Sequence, residues 1–471
     1  MELSKDIQHY IGLISAYFLM VLSAISFLLN PLTNDWRIYQ GVAKLTDFYN
    51  GNIDLAWEIK PIANRGLNYI LYKISSVFAP FATEEYELVM KLFTVFLIVI
   101  ICYYFGRKCN KWYVFPLSAF LILSTSNFMQ GQAEWFALIF ALLSCALFLE
   151  NNEVLWLISG FVITTIFMFK GITILFVIPI ICFVILNKER DWLKRLVIGF
   201  VGSVCFLILC INLFPHMIPD MLLSAAIAKV GAYNPIFMLN ALWVNLVISL
   251  IWIPCIFGGL LAGALVTYNL YKKNLKWYLV IVMWIACFAI IYGQSEFFIN
   301  HYLVLILPII LTLYLTPTKW LMILVLITGI LFVFASSHWG IAMSVENEFW
   351  ENQGLWHKEM KKAIPDLQDQ NTMLYLDPGF STYYIGVNSS CRYSAPLPFQ
   401  RNNLTWDMTN LEAYQDCKVC MMNYTGKYII ADVRGWMRRD HPDNEMVWKK
   451  IESEYSIVWN KSWYVYEKNT I

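Results

Sequence analysis

Charge is what this sequence has least of. Only 14% of its 471 residues are Asp, Glu, Lys or Arg, whereas 59% are hydrophobic; an ordinary soluble chain carries about 25% charge. Mean hydropathy is +0.56. This apolar excess must face a solvent other than water, which excludes a soluble globule, and it equally excludes a disordered chain. A dominant sign of charge is also missing. Thirty-four basic residues meet 33 acidic ones for a net charge of +1, so nothing electrostatic points to nucleic acid. The sequence has no internal repeat, no low-complexity tract and no Asp-x-Asp pair at Asp35.

What is present is a series of apolar runs. A membrane-crossing helix needs about 20 mostly apolar residues, and about eleven such segments precede residue 340. They run at about Ile11–Leu29, Leu88–Tyr104, Trp112–Asn127, Phe136–Leu149, Val154–Phe169, Ile172–Leu186, Leu196–Phe214, Phe237–Tyr268, Trp277–Tyr292, Tyr302–Leu315 and Trp320–Ala335. The first has no small-residue cleavage site before Pro31 and reads as a retained anchor. The segment with Pro254 and Gly258-Gly259 is too long for one straight span and is expected to kink or lie partly in the interface. Between the first two spans, about residues 30–86, lies a large polar loop with an amphipathic stretch, Leu67–Phe81, suited to the membrane interface.

Short basic loops stay cytoplasmic. Arg107-Lys108 with Lys111, Lys188 to Arg195, Lys272-Lys273 with Lys276, and Lys319 all fall on that side if the amino terminus is inside and the chain crosses eleven times. Residues 340–471 are then exported, and that stretch holds four N-x-[ST] sequons, at Asn388, Asn403, Asn423 and Asn460. A helix at about Trp350–Ile364, apolar runs at Met373–Leu376, Tyr428–Ala431 and Ile457–Tyr466, and a helix near Asn444–Glu454 predict a small α/β unit. Eight of the 11 cysteines lie in or beside apolar spans, while Cys391, Cys417 and Cys420 lie in the tail, where one disulfide is permitted. A lone Cys-x-x-Cys is poor evidence for zinc.

Ionisable residues beside apolar spans are costly and mark function. In this topology Asp35, Glu134, Lys170, Glu296 and His301 share the outer boundary, and Gln132 stands beside Glu134 in Gln130-Gly131-Gln132. Each has a plainer reading. Asp35 suits a helix cap, Glu134 a solvated loop acid, Lys170 a snorkelling side chain, His301 a satisfied interfacial histidine, and Lys60 and Arg65 headgroup contacts. Their joint placement favours chemistry: a carboxylate can take a hydroxyl proton, and cations can hold a phosphate as charge develops on it. Nucleotide sugars are largely cytoplasmic, so glycosyl transfer on the outer face calls for a membrane-borne polyprenyl-phosphate donor. A single displacement with Asp35 as base inverts the anomeric carbon.

The order of these features resembles integral-membrane glycosyltransferases of the GT-C class, in the lipid-phosphate-dependent branch that includes protein mannosyltransferase-like and aminoarabinose-transferase-like enzymes. The likeness is carried by Asn34-Asp35-Trp36-Arg37-Ile38-Tyr39 after the first span, Lys60-Pro61 leading into an amphipathic helix, and Glu134 before the fourth span. It is carried further by Gly160 with Phe169-Lys170-Gly171, by His301-Tyr302 with Pro308, and by Leu374-Tyr375-Leu376-Asp377-Pro378 in the tail. Where several branches have Asp, this chain has Glu134; Gln130-Gly131-Gln132 looks closer to enzymes using polyprenyl-phosphate mannose. The Trp-Trp-Asp-Tyr-Gly signature of oligosaccharyltransferases is absent.

The resemblance implies an α-helical polytopic membrane protein with about 11 transmembrane helices, residues 1–339 forming the catalytic module and 340–471 an exported α/β domain. It implies Asp35 and Glu134 as catalytic residues, with Lys60, Arg65, Gln132, Lys170, Glu296 and His301 binding the donor phosphate or substrate. The expected partners are a polyprenyl- or dolichyl-phosphate sugar, with mannose or another hexose favoured, a glycan, lipid or protein acceptor, and membrane lipid. No metal or other cofactor is expected. A lipid-linked glycan flippase and a polymerase or ligase using a lipid-diphosphate donor are the competing readings; the chain shows neither the repeats nor the mid-membrane polar groups of transporters.

Overall fold

The computed structural model describes residues 5–30, 32, 34–54, 62–111, 113–124, 131–187, 191–222, 254–273, 276–293, 299–315, 327, 354–368, 372–375, 380–389, 391, 411–432, 442–461 and 463–469. The chain divides into two compact units, one of residues 1–31, 91–212 and 232–342, the other of residues 32–90, 213–231 and 343–471. The first loop thus shares a unit with the tail.

The first unit is helical. It contains α1 (Lys5–Leu29), most of α4 (Glu84–Lys108), α5 (Val114–Ser124), α6 (Ala133–Leu149), α7 (Glu153–Phe169), α8 (Val177–Asn187) and α9 (Trp192–Leu213). After them come α10 (Pro254–Lys272), α11 (Tyr278–Gly293) and α12 (Ile306–Leu315). Among the described residues three helices are long and apolar enough to cross a membrane, Tyr10–Leu29, Glu84–Lys108 and Trp192–Leu213, and six shorter apolar helices of 10–17 residues accompany them. The protein is therefore membrane-associated and mainly α-helical. Trp320–Ala335, expected as the last span, lies outside the described residues except for Ile327, as do residues 237–253 of the long segment; the remainder of that long segment is α10, which begins at Pro254, where a missing N–H costs nothing.

Packing here relies on small residues and on side chains that satisfy helix ends. α7 and α9 cross at Gly160 and Gly199 so closely that a Cβ on Gly160 would lie 1.9 Å from the Gly199 carbonyl oxygen. Ser203 Oγ donates to Gly160 O at 2.8 Å, and Thr164 Oγ1 donates to Ser203 O at 2.9 Å. Such close approach is how helices associate where lipid removes the hydrophobic drive. Buried Lys91 donates to the carbonyls of Leu28 (3.1 Å) and Asn30 (2.6 Å) at the end of α1. Arg195, also buried, donates to Phe148 O at 2.6 Å at the end of α6. Both cations complete carbonyls that a helix C-terminus leaves open.

The second unit joins α2 (Asn34–Phe48), α3 (Ile62–Phe78) and the start of α4 to the tail. α3 is the expected amphipathic stretch, beginning five residues earlier than the sequence suggests; Asn64, Arg65, Asn68, Leu71, Tyr72 and Ser75 form its buried face, and Ile70, Val77 and Phe78 are exposed. The tail sheet has four strands, β1 (Thr372–Tyr375), β2 (Tyr428–Asp432), β3 (Tyr455–Asn460) and β4 (Trp463–Lys468), in the order β1-β2-β4-β3. β1 is parallel to β2, and β4 is antiparallel to both β2 and β3. The apolar run Ile457–Tyr466, read from sequence as one element, divides into β3 and β4, because Lys461 and Ser462 interrupt its alternation. One face of the sheet packs Tyr428, Ile430, Trp463 and Val465 on Met360 of the helix at residues 354–363 and on Ile364 just after it. On the other face Trp448 meets Tyr466 edge to face at 6.1 Å, supplied by the helix Pro442–Glu454 that the sequence places near Asn444–Glu454. Two further helices, Phe380–Ile385 and Glu412–Asn423, were not distinguished by sequence pattern. Cys391 and Cys420 form the tail disulfide.

Candidate functional site

Asp35 lies in the first turn of α2; its side chain lies outside what is described. The neighbours that hold this turn are described. Trp36 is fully buried and its Nε1 donates to Asn68 Oδ1 at 2.9 Å. Gln40 Nε2 donates to the same oxygen at 2.9 Å, and Tyr86 OH donates to Gln40 Oε1 at 2.6 Å. Asn68 Nδ2 in turn donates to Asn64 O at 2.9 Å. One α3 amide therefore receives two α2 donors, and the chain of bonds continues to α4. A buried, satisfied network of this kind fixes one helix register.

A second set of bonds ties α2 to the tail within the same unit. Glu87 Oε1 accepts from Arg37 Nε at 3.1 Å and from Tyr383 OH at 2.5 Å. Burial lowers the Arg37 affinity for its proton, yet the Glu87 carboxylate and the phenol oxygens of Tyr384 and Tyr383 more than reverse this, so the guanidinium is held firmly charged. Burial pushes the Tyr383 phenol far above its ordinary range, with Glu87 adding to it. Lys44 on α2 is lowered by burial and then by Lys361. At the far end of α2, Asp47 accepts from Lys73 Nζ at 2.8 Å, and this bond holds the carboxyl below 3.8 against a weaker opposing effect of burial.

Arg65 was expected as a phosphate or headgroup contact. Instead it is buried, with its side chain 1% exposed, and its Nη2 donates to Asp220 Oδ2 at 2.9 Å. Nη1 donates to Ile53 O at 3.1 Å. Asp54, 3% exposed, accepts from the backbone N–H of His216 at 3.3 Å. The guanidinium thus joins the first loop to Asp220, an acid that no local pattern in the sequence pairs with it. Lys60 lies outside the described residues.

Glu134 and Lys170 meet in the membrane unit. Gly131, at φ +79°, takes the left-handed conformation that glycine adopts freely, and it delivers Gln132 to the N-cap of α6. Gln132 is 5% exposed, and its carbonyl accepts from the N–H groups of Trp135 and Phe136. Glu134 follows in the first turn, with no exposed surface. Lys170 is extended between α7 and the 3-10 helix Gly171–Phe176, and its Nζ donates to Glu134 Oε1 at 2.5 Å. Phe136 and Phe169 stack 5.9 Å apart beside the pair, and Trp135 is pinned by its Nε1–H bond to Ile122 O at 3.2 Å. Glu134 is therefore a buried ion-pair partner, not a solvated loop acid, and Lys170 is anchored, not free to snorkel.

Glu296 lies outside the described residues, as does the side chain of His301, whose backbone belongs to the 3-10 helix Ile299–Leu305. Cys420 is committed to the disulfide, so the Cys-x-x-Cys element has no thiolate pair to offer. Among the described residues no three His, Cys, Asp or Glu side chains gather where they could hold a metal ion. Asn68, Gln40, Glu87 and Asp220 were missed by sequence reasoning, whereas Tyr383 stands in the Tyr383-Tyr384 element of the tail that the resemblance included without assigning it a role. Only Glu87 carried a signal, as one of three acids opening α4. Comparison with protein families, characterised proteins and solved structures finds no match for the chain.

Proposed function

We propose that the protein is an inverting membrane glycosyltransferase that moves a single sugar, a hexose such as mannose, from a polyprenyl-phosphate donor to an acceptor hydroxyl. In this reading the chain crosses the membrane eleven times with its amino terminus cytoplasmic, and the reaction faces the exported tail. The observation that carries it is the Glu134–Lys170 pair. The Lys170 ammonium is oriented by a fully buried carboxylate while its side chain keeps 22% of its surface exposed, which suits an oriented cation for an anionic leaving group.

The acceptor hydroxyl gives its proton to Asp35 as its oxygen bonds to the anomeric carbon, and the bond from that carbon to the donor phosphate breaks. Lys170, oriented by Glu134, stabilises the negative charge that accumulates on the departing lipid phosphate. Lys60 and His301 are assigned as further phosphate contacts, and Gln132 and Glu296 as substrate contacts. Arg65, committed to Asp220, serves this reading by ordering the loop. No step is assigned to a metal ion.

The test is transfer of radiolabelled mannose from polyprenyl-phosphate mannose by the reconstituted protein. Wild type is expected to release polyprenyl phosphate with an inverted product, and Asp35→Asn, folded by its unfolding profile, to lose at least 100-fold in turnover. Full activity in that variant sinks the proposed base. Lipid movement across vesicles without sugar transfer would favour a flippase.

A further inference from the structure

Helices α10 and α11, joined by residues 273–277, flank an open groove of about 600 Å³. Gly263, Ala264 and Thr267 line one wall, Ile281, Trp284 and Ile285 the other. Gly263 is required there, because a Cβ at that position would stand 2.8 Å from Trp284 Nε1. The glycine lets the indole lie against α10, and the space beyond it stays open. The Trp284 Nε1–H is buried and meets no acceptor among the described residues, so the indole is placed by packing alone.

The groove has a direction. It runs from Leu260 to Tyr271 along α10 and from Phe288 to Trp277 along α11, about 16 Å at the helical rise of about 1.5 Å per residue. That is about half the 30 Å hydrocarbon thickness of a bilayer, the depth of one leaflet. At its inter-helix end stand the rings that mark a membrane interface: Tyr271 meets Trp277 edge to face at 5.8 Å, and Lys272 Nζ sits 4.7 Å from the centre of the Tyr268 ring. Lys272, Lys273 and Lys276 are all exposed at this mouth. Residues 254–293 contain these three lysines and no Asp or Glu, so the two helices make the mouth cationic and bring no acidic side chain of their own.

We propose that the groove binds an anionic glycerophospholipid, one acyl chain lying against Gly263, Ala264 and Trp284 and the phosphate held by Lys272, Lys273 and Lys276. Apolar length matched to one leaflet selects a membrane lipid, and a cluster of lysines at headgroup level selects negative charge. This site is separate from the proposed transfer chemistry: its lysines precede α11, whereas Glu296 and His301 follow it. It stands whether or not the protein transfers sugar.

The experiment uses the full chain in phosphatidylcholine nanodiscs doped with phosphatidylglycerol, with retained lipid counted by native mass spectrometry and contact read with spin-labelled lipids. Phosphatidylglycerol is expected to be held at least tenfold more tightly than phosphatidylcholine, with the preference falling about fivefold for each lysine changed to Gln. These exposed lysines lie outside the packed core, so the variants report binding and not folding. Ala264→Phe, which fills the groove, is expected to lose the immobilised acyl chain. Equal retention of the two lipids, an undiminished preference in the triple lysine variant, or an unchanged acyl signal in Ala264→Phe would each overturn the proposal. So would recovery of polyprenyl phosphate, or of a second copy of the chain, from the groove.

Discussion

Lys170 Nζ lies 2.5 Å from Glu134 Oε1, and the two side chains differ in exposure, 22% against 0%. The carboxylate is wholly enclosed by protein while its counter-ion reaches the boundary, so each depends on the other differently. Removing the lysine takes a counter-ion from a buried carboxylate, a change that costs about 3–5 kcal/mol when the site is fully desolvated. Lys170→Met is therefore expected to unfold well below wild type in detergent. Glu134→Gln/Lys170→Met should recover most of the loss, and additive single effects in a double-mutant cycle would show that the pair is not coupled.

Asn68 offers one oxygen to two donors, Trp36 Nε1 and Gln40 Nε2. Asn68→Ala leaves both buried groups without their acceptor, at about 1–3 kcal/mol each. Thermal unfolding should register the loss. If Asn68 positions the Asp35-bearing turn, Asn68→Asp, which keeps the oxygen, should retain more transfer activity than Asn68→Ala at matched folded fraction.

Gly160 permits the α7–α9 crossing. Because the nearest obstacle to a Cβ is the backbone oxygen of Gly199, a methyl group cannot be accommodated by a rotamer change. Gly160→Ala is expected to force the helices apart and break the Ser203–Gly160 bond, a loss of more than about 2 kcal/mol by analogy with overpacked cores. A melting temperature equal to wild type would contradict this contact.

The Cys391–Cys420 bridge closes a loop of 29 residues. Loop-closure entropy assigns such a cross-link about 3–4 kcal/mol. Cys420→Ser should lower the unfolding midpoint of the tail and leave detergent extraction of the membrane helices unchanged. Tail-specific near-ultraviolet signals separate the two.

Asp366 accepts from Lys427 Nζ at 2.5 Å and from Tyr428 OH at 2.9 Å. The Lys427 bond, and then the Tyr428 bond, hold its carboxyl below the ordinary 3.8. The folded value lies beneath the unfolded one, so the stabilisation is present above about pH 4 and disappears as pH falls through the folded value. Because the pair is about two-fifths exposed, the effect is small and screened by salt. Tail stability measured between pH 5 and pH 2 should fall less steeply in Asp366→Asn than in wild type.

Much of the fold was legible as periodicity. The apolar runs at Ile11–Leu29, Leu88–Tyr104 and Leu196–Phe214 became the three longest apolar helices among the described residues, and the tail runs became strands. Partners remote in sequence were not legible. Nothing near Arg65 announces Asp220, 155 residues away, and nothing near Glu87 announces Tyr383, 296 residues away. A hydrogen-bond partner is chosen by proximity in space, whereas local pattern reports only which face of a helix or strand is apolar.

The amino-acid sequence by itself determined that lipid solvates much of this protein, because burial of apolar surface depends on composition and period alone. It also determined where the scarce charged groups could stand without prohibitive cost. Tertiary structure decided their roles: Glu134 became the enclosed partner of Lys170, Arg65 a strut to Asp220, and Asn68 the shared acceptor of Trp36 and Gln40. Electrostatic and hydrogen-bond energies depend on distances of a few ångströms, and only the folded chain sets those distances.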